Sequence, residues 1–429
     1  MEKLRTLRQG DRTPQTDLLQ TALTRAGFPT AVDGVFGSDT ASSVRKFQAT
    51  RGLVQDGIVG AKTWSALTPY LTGYVTHTVA SGDTLYKIAV EHGTTVQAIT
   101  TANPRVTPEN LHIGSTLTVP LAFDITATNI RYSAVAVAVI ADGIAARYPF
   151  VTWNTVGQSV AGHDLLCAEI GAGSTHEVFY NAAHHGNEWI TTPLLLKFLE
   201  EYAKAYAADG AIYGIDAKSL YALSRLFVMP LVNPDGVELV TGALNSGALY
   251  DDARRIAQNF PAIPFPSGWK ANIEGIDTNL QYPANWERAR EIKYAQGFTQ
   301  PAPRDFVGDA PLQAPESRAV RDLTLRHDFK LTLSYHTQGE VIYWKYLDME
   351  PPRSREIAEL FAEVSGYTAE ITPPDSSYAG YKDWYIQTYD RPGYTVEVGH
   401  GTNPLPIGQF AEIFAKNIGI LTLGLTANI

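Results

Sequence analysis

The stretch Asn181-Ala182-Ala183-His184-His185-Gly186-Asn187-Glu188 places a histidine and a glutamate three residues apart. At the start of a helix, residues with that spacing can meet on one side. A ring nitrogen and a carboxylate oxygen held together in this way suit a zinc ion. His336 closes the apolar run 331–335 and would complete a set of two histidines and one glutamate. Three protein ligands and one open position are what catalytic zinc requires. Glu397 lies inside the apolar run 394–398. Burying an ionised carboxylate is costly, so a strong reason is needed for it there. A general base beside a metal-activated water is such a reason. The expected cofactor is therefore one Zn2+ per chain, held by His185, Glu188 and His336.

These residues need a rigid frame. The apolar runs 226–232, 331–335 and 394–398 are bounded by turn residues and read as buried central strands. Residues 189–202 read as a long helix. The region 125–429 is thus expected to be one large α/β domain, with functional residues at its strand ends.

Two smaller units precede it. Residues 1–70 contain an echo, in which Asp33-Gly34-Val35-Phe36-Gly37-Ser38-Asp39-Thr40 recurs as Asp56-Gly57-Ile58-Val59-Gly60-Ala61-Lys62-Thr63. Asp-Gly marks a tight turn, and each Thr is expected to cap the following helix. With the apolar stripe Leu18, Leu19, Ala22 and Leu23, this predicts a three-helix unit. Residues 74–121 predict a strand, a turn at Ser81-Gly82-Asp83-Thr84 that caps a helix, a second helix, and the closing strand Leu117-Thr118-Val119-Pro120.

The chain resembles known families at three places. The order Leu7-Arg8-Gln9-Gly10, Leu19-Gln20, Asp33-Gly34, Phe47-Gln48, Asp56-Gly57, Thr63-Trp64 looks like a peptidoglycan-binding domain. Residues 74–121, with Gly82-Asp83-Thr84-Leu85, Asn103-Pro104 and Ile113-Gly114, resemble a LysM domain, a βααβ unit that binds N-acetylglucosamine-containing glycans. By that analogy the glycan groove lies near Gly82, Asp83, Thr84, Asn103 and Pro104.

Residues 125–429 resemble the zinc carboxypeptidases, which implies a mixed central sheet flanked by helices. The matching strings are His185-Gly186-Asn187-Glu188, Asn233-Pro234-Asp235-Gly236, Gly275-Ile276-Asp277-Thr278-Asn279, Ser334-Tyr335-His336-Thr337, Lys382-Asp383-Trp384 and Thr395-Val396-Glu397. The resemblance implies that Asp277 orients His185 and that Glu397 is the catalytic glutamate. It also puts Lys270, after Trp269, where the family has an arginine that polarises the scissile carbonyl. A lysine supplies charge without a bidentate fork.

Two departures bear on specificity. The family's carboxypeptidases follow Asn279 with an arginine that grips the substrate's C-terminal carboxylate, and here Leu280 stands there. The mobile-loop tyrosine has no counterpart at its place, Asp375, although Tyr378 and Tyr381 are near. The strings around Trp269, Asn279 and Tyr381 look most like the γ-D-glutamyl-diaminopimelate endopeptidase branch. That branch cuts the γ-D-Glu–meso-diaminopimelate bond of peptidoglycan stem peptides. Its substrate carries carboxylates that Arg304, Lys382 or Arg288 could bind, with Asn279, Tyr378, Tyr381 and Asp383 beside them. The alternatives are a metallocarboxypeptidase acting on ordinary peptides and a non-catalytic wall-binding protein.

The expected partners are peptidoglycan glycan strands and stem peptides. A net charge of −10 argues against nucleic acid. No run of about 20 apolar residues predicts membrane insertion. The one cysteine, Cys167, lies in an apolar run and is expected to be a buried, inert thiol. Residues 1–8 carry no apolar stretch. The cytoplasm, for instance that of a sporulating cell, is the expected location. A secreted or wall-associated protein that has lost its signal is the alternative.

Overall fold

The two echoed turns are each locked by a buried glutamine. Gln20 Nε2 donates to Asp33 Oδ1 at 2.7 Å and to the Val35 carbonyl at 3.0 Å, while its Oε1 accepts from the Asp33 and Gly34 amides. Gln48 repeats this with Asp56 Oδ1, the Ile58 carbonyl and the Gly57 amide. Gly34 and Gly57 have φ of 68° and 75°, the left-handed region that the tight turn requires. The helices are α1 (Pro14–Arg25), α2 (Ser38–Thr50) and α3 (Ala61–Thr72). One expectation fails here. The caps are Gly37 and Gly60, and the echoed Thr40 and Thr63 lie one turn further in. Their hydroxyls accept from the glutamines instead, each at 3.2 Å.

These are features of a computed structural model that describes residues 4–427. Residues 1–3 and 428–429, the extreme ends of the first and third expected domains, lie outside the described residues.

The second module pairs β1 (Tyr74–Thr78) antiparallel with β2 (Thr116–Pro120) around α4 (Leu85–Glu91) and α5 (Val96–Ala102). Thr84 and Thr95 cap the two helices by accepting from Lys87 N and Ala98 N. Its core, around Ile88, Ile99, Leu117 and Val119, is separate from every other.

The third domain begins with α6 (Ala134–Arg147), and its strands build one eight-stranded mixed sheet. They are β3 (Thr152–Gln158), β4 (Asp164–Ile170) and β5 (Glu177–Ala182). After α7 (Thr191–Ala207) comes a small hairpin, β6 (Ala211–Ile212) and β7 (Ile215–Asp216), outside the sheet. The sheet continues with β8 (Arg225–Met229), β9 (Phe329–His336), β10 (Val341–Tyr343), β11 (Thr368–Glu370) and β12 (Gly393–Glu397). The spatial order is β11-β10-β12-β9-β5-β8-β4-β3. The central strands β8, β5, β9 and β12 are mutually parallel.

Successive residues of β5 face opposite sides, as a strand's period of two demands. Val178 and Tyr180 enter one core, and Phe179 enters the other. Both faces of the sheet are therefore covered, which explains why the central strands read as continuous apolar runs. Cys167 is buried as expected, and burial pushes its thiol up to about 12. Among the described residues no helix is long and apolar enough to cross a membrane.

Candidate active site

The parallel strands β5, β9 and β12 end at one edge of the sheet, and the candidate residues hang from those ends. His336 is the last residue of β9, Glu397 is the last of β12, and the two stand in register. His185 and Glu188 come from the loop after β5, where residues Gly186–Glu188 form one 3-10 turn. Gly186 is forced by close packing, since a Cβ there would lie 2.6 Å from the Gly236 backbone. The loop 233–236 is what it packs against. Asn233 Nδ2 donates to the carbonyls of His184, Lys270 and Ala271, tying three segments of the site together.

The three expected ligands converge. Their ligand atoms lie within 4.8 Å of one another, and all three side chains are buried. Glu188 Oε1 is 3.0 Å from His185 Nδ1, and its Oε2 is 2.9 Å from His336 Nδ1. The two Nδ1 atoms are 3.3 Å apart. Metal–nitrogen distances of about 2.0–2.1 Å in a tetrahedron give edges of roughly 3.3 Å. The donor set therefore fits zinc in both type and spacing. The outer ring nitrogens are also held. Asp277 Oδ1 lies 3.2 Å from His185 Nε2, and Asn279 Nδ2 lies 3.5 Å from His336 Nε2. The Asp277 carboxylate can accept an N–H from Nε2, which fixes the His185 ring and tautomer and leaves its Nδ1 free for a metal. The Asn279 amide nitrogen can only donate and does not set the His336 tautomer.

The electrostatics sort the carboxylates into different roles. Burial pushes Glu188 up, but the His185 and Lys270 charges outweigh it and hold it well below the usual range. Lys270 Nζ is 2.7 Å from Glu188 Oε1. Burial and the Glu188 charge push Glu397 up to about 8. One carboxylate is thus kept as an anion fit to bind a metal, and the other exchanges its proton close to neutral pH, as a proton-transfer group must.

These groups open into a cleft of about 230 Å³. Asn279, Leu280, Tyr378, Lys382, Asp383 and Arg304 line it, as does Lys270. Two expected residues do not reach it. The Tyr381 ring is fully buried among Phe179, Tyr282 and Trp384, and its hydroxyl meets Thr324 Oγ1 at 2.9 Å. Tyr381 contributes through its amide, which donates to Asn279 Oδ1 and so fixes Asn279. Arg288 lies outside the lining, exposed on its helix and paired with Glu291.

His184 points away, with its Nε2 3.0 Å from the Tyr282 hydroxyl. Burial and the His336 charge hold it well below its ordinary value, so it stays neutral. Tyr343, Lys293 and Asp305 also line the cleft. No sequence motif marked them. Lys293 and Arg304 both pair with Asp305, at 2.7 and 2.6 Å.

On the second module, Asp83 Oδ2 is 2.9 Å from His77 Nε2 and accepts from the Ala80 amide at 2.8 Å. The Asn103 side chain is committed to backbone groups of Ile99 and Thr118. Pro104 follows it in the turn, and Gly82 has φ of 89°.

Comparison with known proteins finds three family matches along the chain. Residues 137–414 match the zinc carboxypeptidase family, residues 12–67 a peptidoglycan-binding domain, and residues 77–120 the LysM domain. The chain belongs to the zinc carboxypeptidase family. It is 45% identical over 279 residues to gamma-D-glutamyl-L-diamino acid endopeptidase 1 of Lysinibacillus sphaericus, covering 65% of this chain and 68% of that protein. It is 41% identical over 278 residues to the uncharacterised protein YqgT of Bacillus subtilis (strain 168), covering 64% and 72%. Among solved structures it is similar to the carboxypeptidase A of Helicoverpa armigera, with a TM-score of 0.51 at 20% identity, covering 80% of this chain and 82% of that one. That last likeness concerns the fold. Leu280, expected to replace a carboxylate-gripping arginine, lines the cleft.

Proposed function

We propose that the chain is a zinc peptidoglycan hydrolase that cuts the γ-D-glutamyl–meso-diaminopimelate bond of stem peptides. The observation that carries this reading is the convergence of His185, Glu188 and His336 beside Glu397, in a cleft lined by Leu280 and Arg304. The relative named as a gamma-D-glutamyl-L-diamino acid endopeptidase supports the bond, and the two wall modules support the polymer.

Zinc held by His185, Glu188 and His336 would supply a Lewis acid and make a water acidic enough to lose its proton near neutral pH. Glu397, which lines the cleft, would hold a proton at its carboxylate and pass it to the leaving amine. Lys270 offers positive charge to the oxygen that becomes negative in the transition state. Asp277 and Asn279 hold the two histidine rings. Arg304 is the candidate for a substrate carboxylate. All three basic side chains are paired with a carboxylate, but that of Arg304 is 41% exposed, whereas those of Lys293 and Lys382 are 11% and 5% exposed.

The test compares L-Ala-γ-D-Glu-meso-diaminopimelate with a blocked dipeptide, before and after chelation and zinc add-back. Zinc-dependent release of diaminopimelate, with the dipeptide left intact, is expected. Faster cleavage of the dipeptide would instead point to an ordinary carboxypeptidase.

A further inference from the structure

A second group of side chains of metal-ligating type, with Glu91 exposed and the two histidines half-buried, lies far from the cleft in sequence, in the LysM module. Its members are His77 on β1, Glu91 at the end of α4 and His92, which follows it. Their ligand atoms lie within 4.8 Å of one another. His77 Nδ1 and His92 Nε2 are 3.4 Å apart, almost the 3.3 Å separating the two Nδ1 atoms in the catalytic cleft. That spacing is a tetrahedral edge for a metal with nitrogen ligands at about 2.0–2.1 Å.

The far side of His77 is also arranged for this. Asp83 Oδ2 lies 2.9 Å from His77 Nε2 and is itself held by the Ala80 amide. An N–H at Nε2 directed to a carboxylate leaves the Nδ1 lone pair facing His92. A carboxylate behind a histidine is the usual support of a metal-bound ring, and Asp277 stands in the same relation to His185. The Asp83–His77 pair is partly shielded, with side-chain exposures of 21% and 15%.

We propose that His77, His92 and Glu91 form a second site for a zinc-type divalent cation, with Asp83 orienting His77. Two imidazoles and one carboxylate favour zinc or its neighbours over calcium or magnesium, which prefer all-oxygen sites. Three protein ligands leave a fourth position open to solvent. The site joins β1 to the end of α4 and so brackets the turn 80–84, which caps α4 through Thr84. A module of this size has a small core, and folds of this scale often gain from such a clasp. The chain's one cysteine lies elsewhere, so no disulfide can do the same work. The metal would order the turn on which the LysM resemblance places glycan binding.

The experiment is equilibrium dialysis of the metal-stripped full chain against micromolar zinc, with bound zinc counted by mass spectrometry. Two zinc ions per chain are expected in the native protein. One is expected in His92→Gln, one in His336→Ala, and none in the double variant. Circular dichroism checks folding, and His77→Gln serves as a second variant should His92→Gln fold poorly. His92→Gln should keep its full rate on a soluble tripeptide. Zinc that His92→Gln or His77→Gln removes supports the site even where the cleft's own metal reading fails. A native count of one that only His336→Ala abolishes would overturn it, as would an unchanged count of two in folded His92→Gln and His77→Gln.

Discussion

The two wall modules are fastened to the catalytic domain in different ways. The first shares a continuous apolar core with it, running from Leu19, Phe47 and Leu67 through Ile140 and Ile144 to the sheet. Buried Asp17 accepts from both the Nε and an NH2 nitrogen of Arg131, each at 2.9 Å. Helix α6 approaches so closely that a Cβ on Gly143 would lie 2.3 Å from the Thr72 carbonyl oxygen. The LysM module keeps a core of its own. Polar contacts to the domain include Tyr74 Oη to Asp142 at 3.2 Å and Gln97 Nε2 to the Ala207 carbonyl at 3.0 Å. A shared core makes one cooperative unit, whereas separate cores can open separately. The difference implies that the first module sets a fixed position for the cleft, while the LysM module is the part that can detach without unfolding its host.

The contrast can be broken most strongly at Gly143. Gly143→Val drives a side chain into the backbone of the first module, and overpacking of this kind typically costs about 1–3 kcal/mol or more. Calorimetry should show a lower unfolding temperature, and limited proteolysis should release residues up to about 72. Arg131→Ala comes next. It leaves the buried Asp17 carboxylate without its bidentate partner, a loss of about 1–2 kcal/mol, limited by the partial exposure of Arg131 and read from denaturant midpoints. An equal loss of stability from Gln97→Ala would erase the distinction between the modules.

The smallest effect is expected at Asp124, between the LysM module and the catalytic domain. Burial pushes its carboxyl up, but the Lys197 and Lys204 ammonium groups outweigh this and hold it at about 2, below the ordinary 3.8. A carboxylate depressed in the folded state stabilises the protein above about pH 4 and loses that contribution as pH falls toward 2. The side chain is nearly half exposed, so solvent screening limits the effect to about 0.5–1 kcal/mol. Asp124→Asn should therefore lower stability slightly at neutral pH and converge with the native protein in acid.

Much of the catalytic frame was legible because strands buried on both faces leave continuous apolar runs, and because His336 and Glu397 close two of those strands while His185 and Glu188 follow a third. His185, Glu188, His336 and Glu397 needed only that pattern and the chemistry of zinc. Side-chain direction was less legible. Tyr381 lies next to cleft-lining Lys382, yet its ring turns inward to Thr324. Thr40 and Thr63 look like caps from composition, but the glutamines twenty and fifteen residues earlier recruit their hydroxyls. Lys293, Tyr343 and Asp305 reach the cleft from three distant segments, a convergence with no local signature. The docking of the first module depends on Gly143, where the absence of a side chain is the feature that matters.

The central claim is tested most directly by digesting purified muropeptides with the zinc-loaded native enzyme and with Glu397→Gln, and identifying the products by mass spectrometry. The account predicts scission between D-glutamate and diaminopimelate by the native enzyme. It predicts a rate at least about 10²–10⁴-fold lower in a folded Glu397→Gln that still binds zinc at His185, Glu188 and His336. Release of only the terminal D-alanine, or undiminished cleavage by Glu397→Gln, would contradict it.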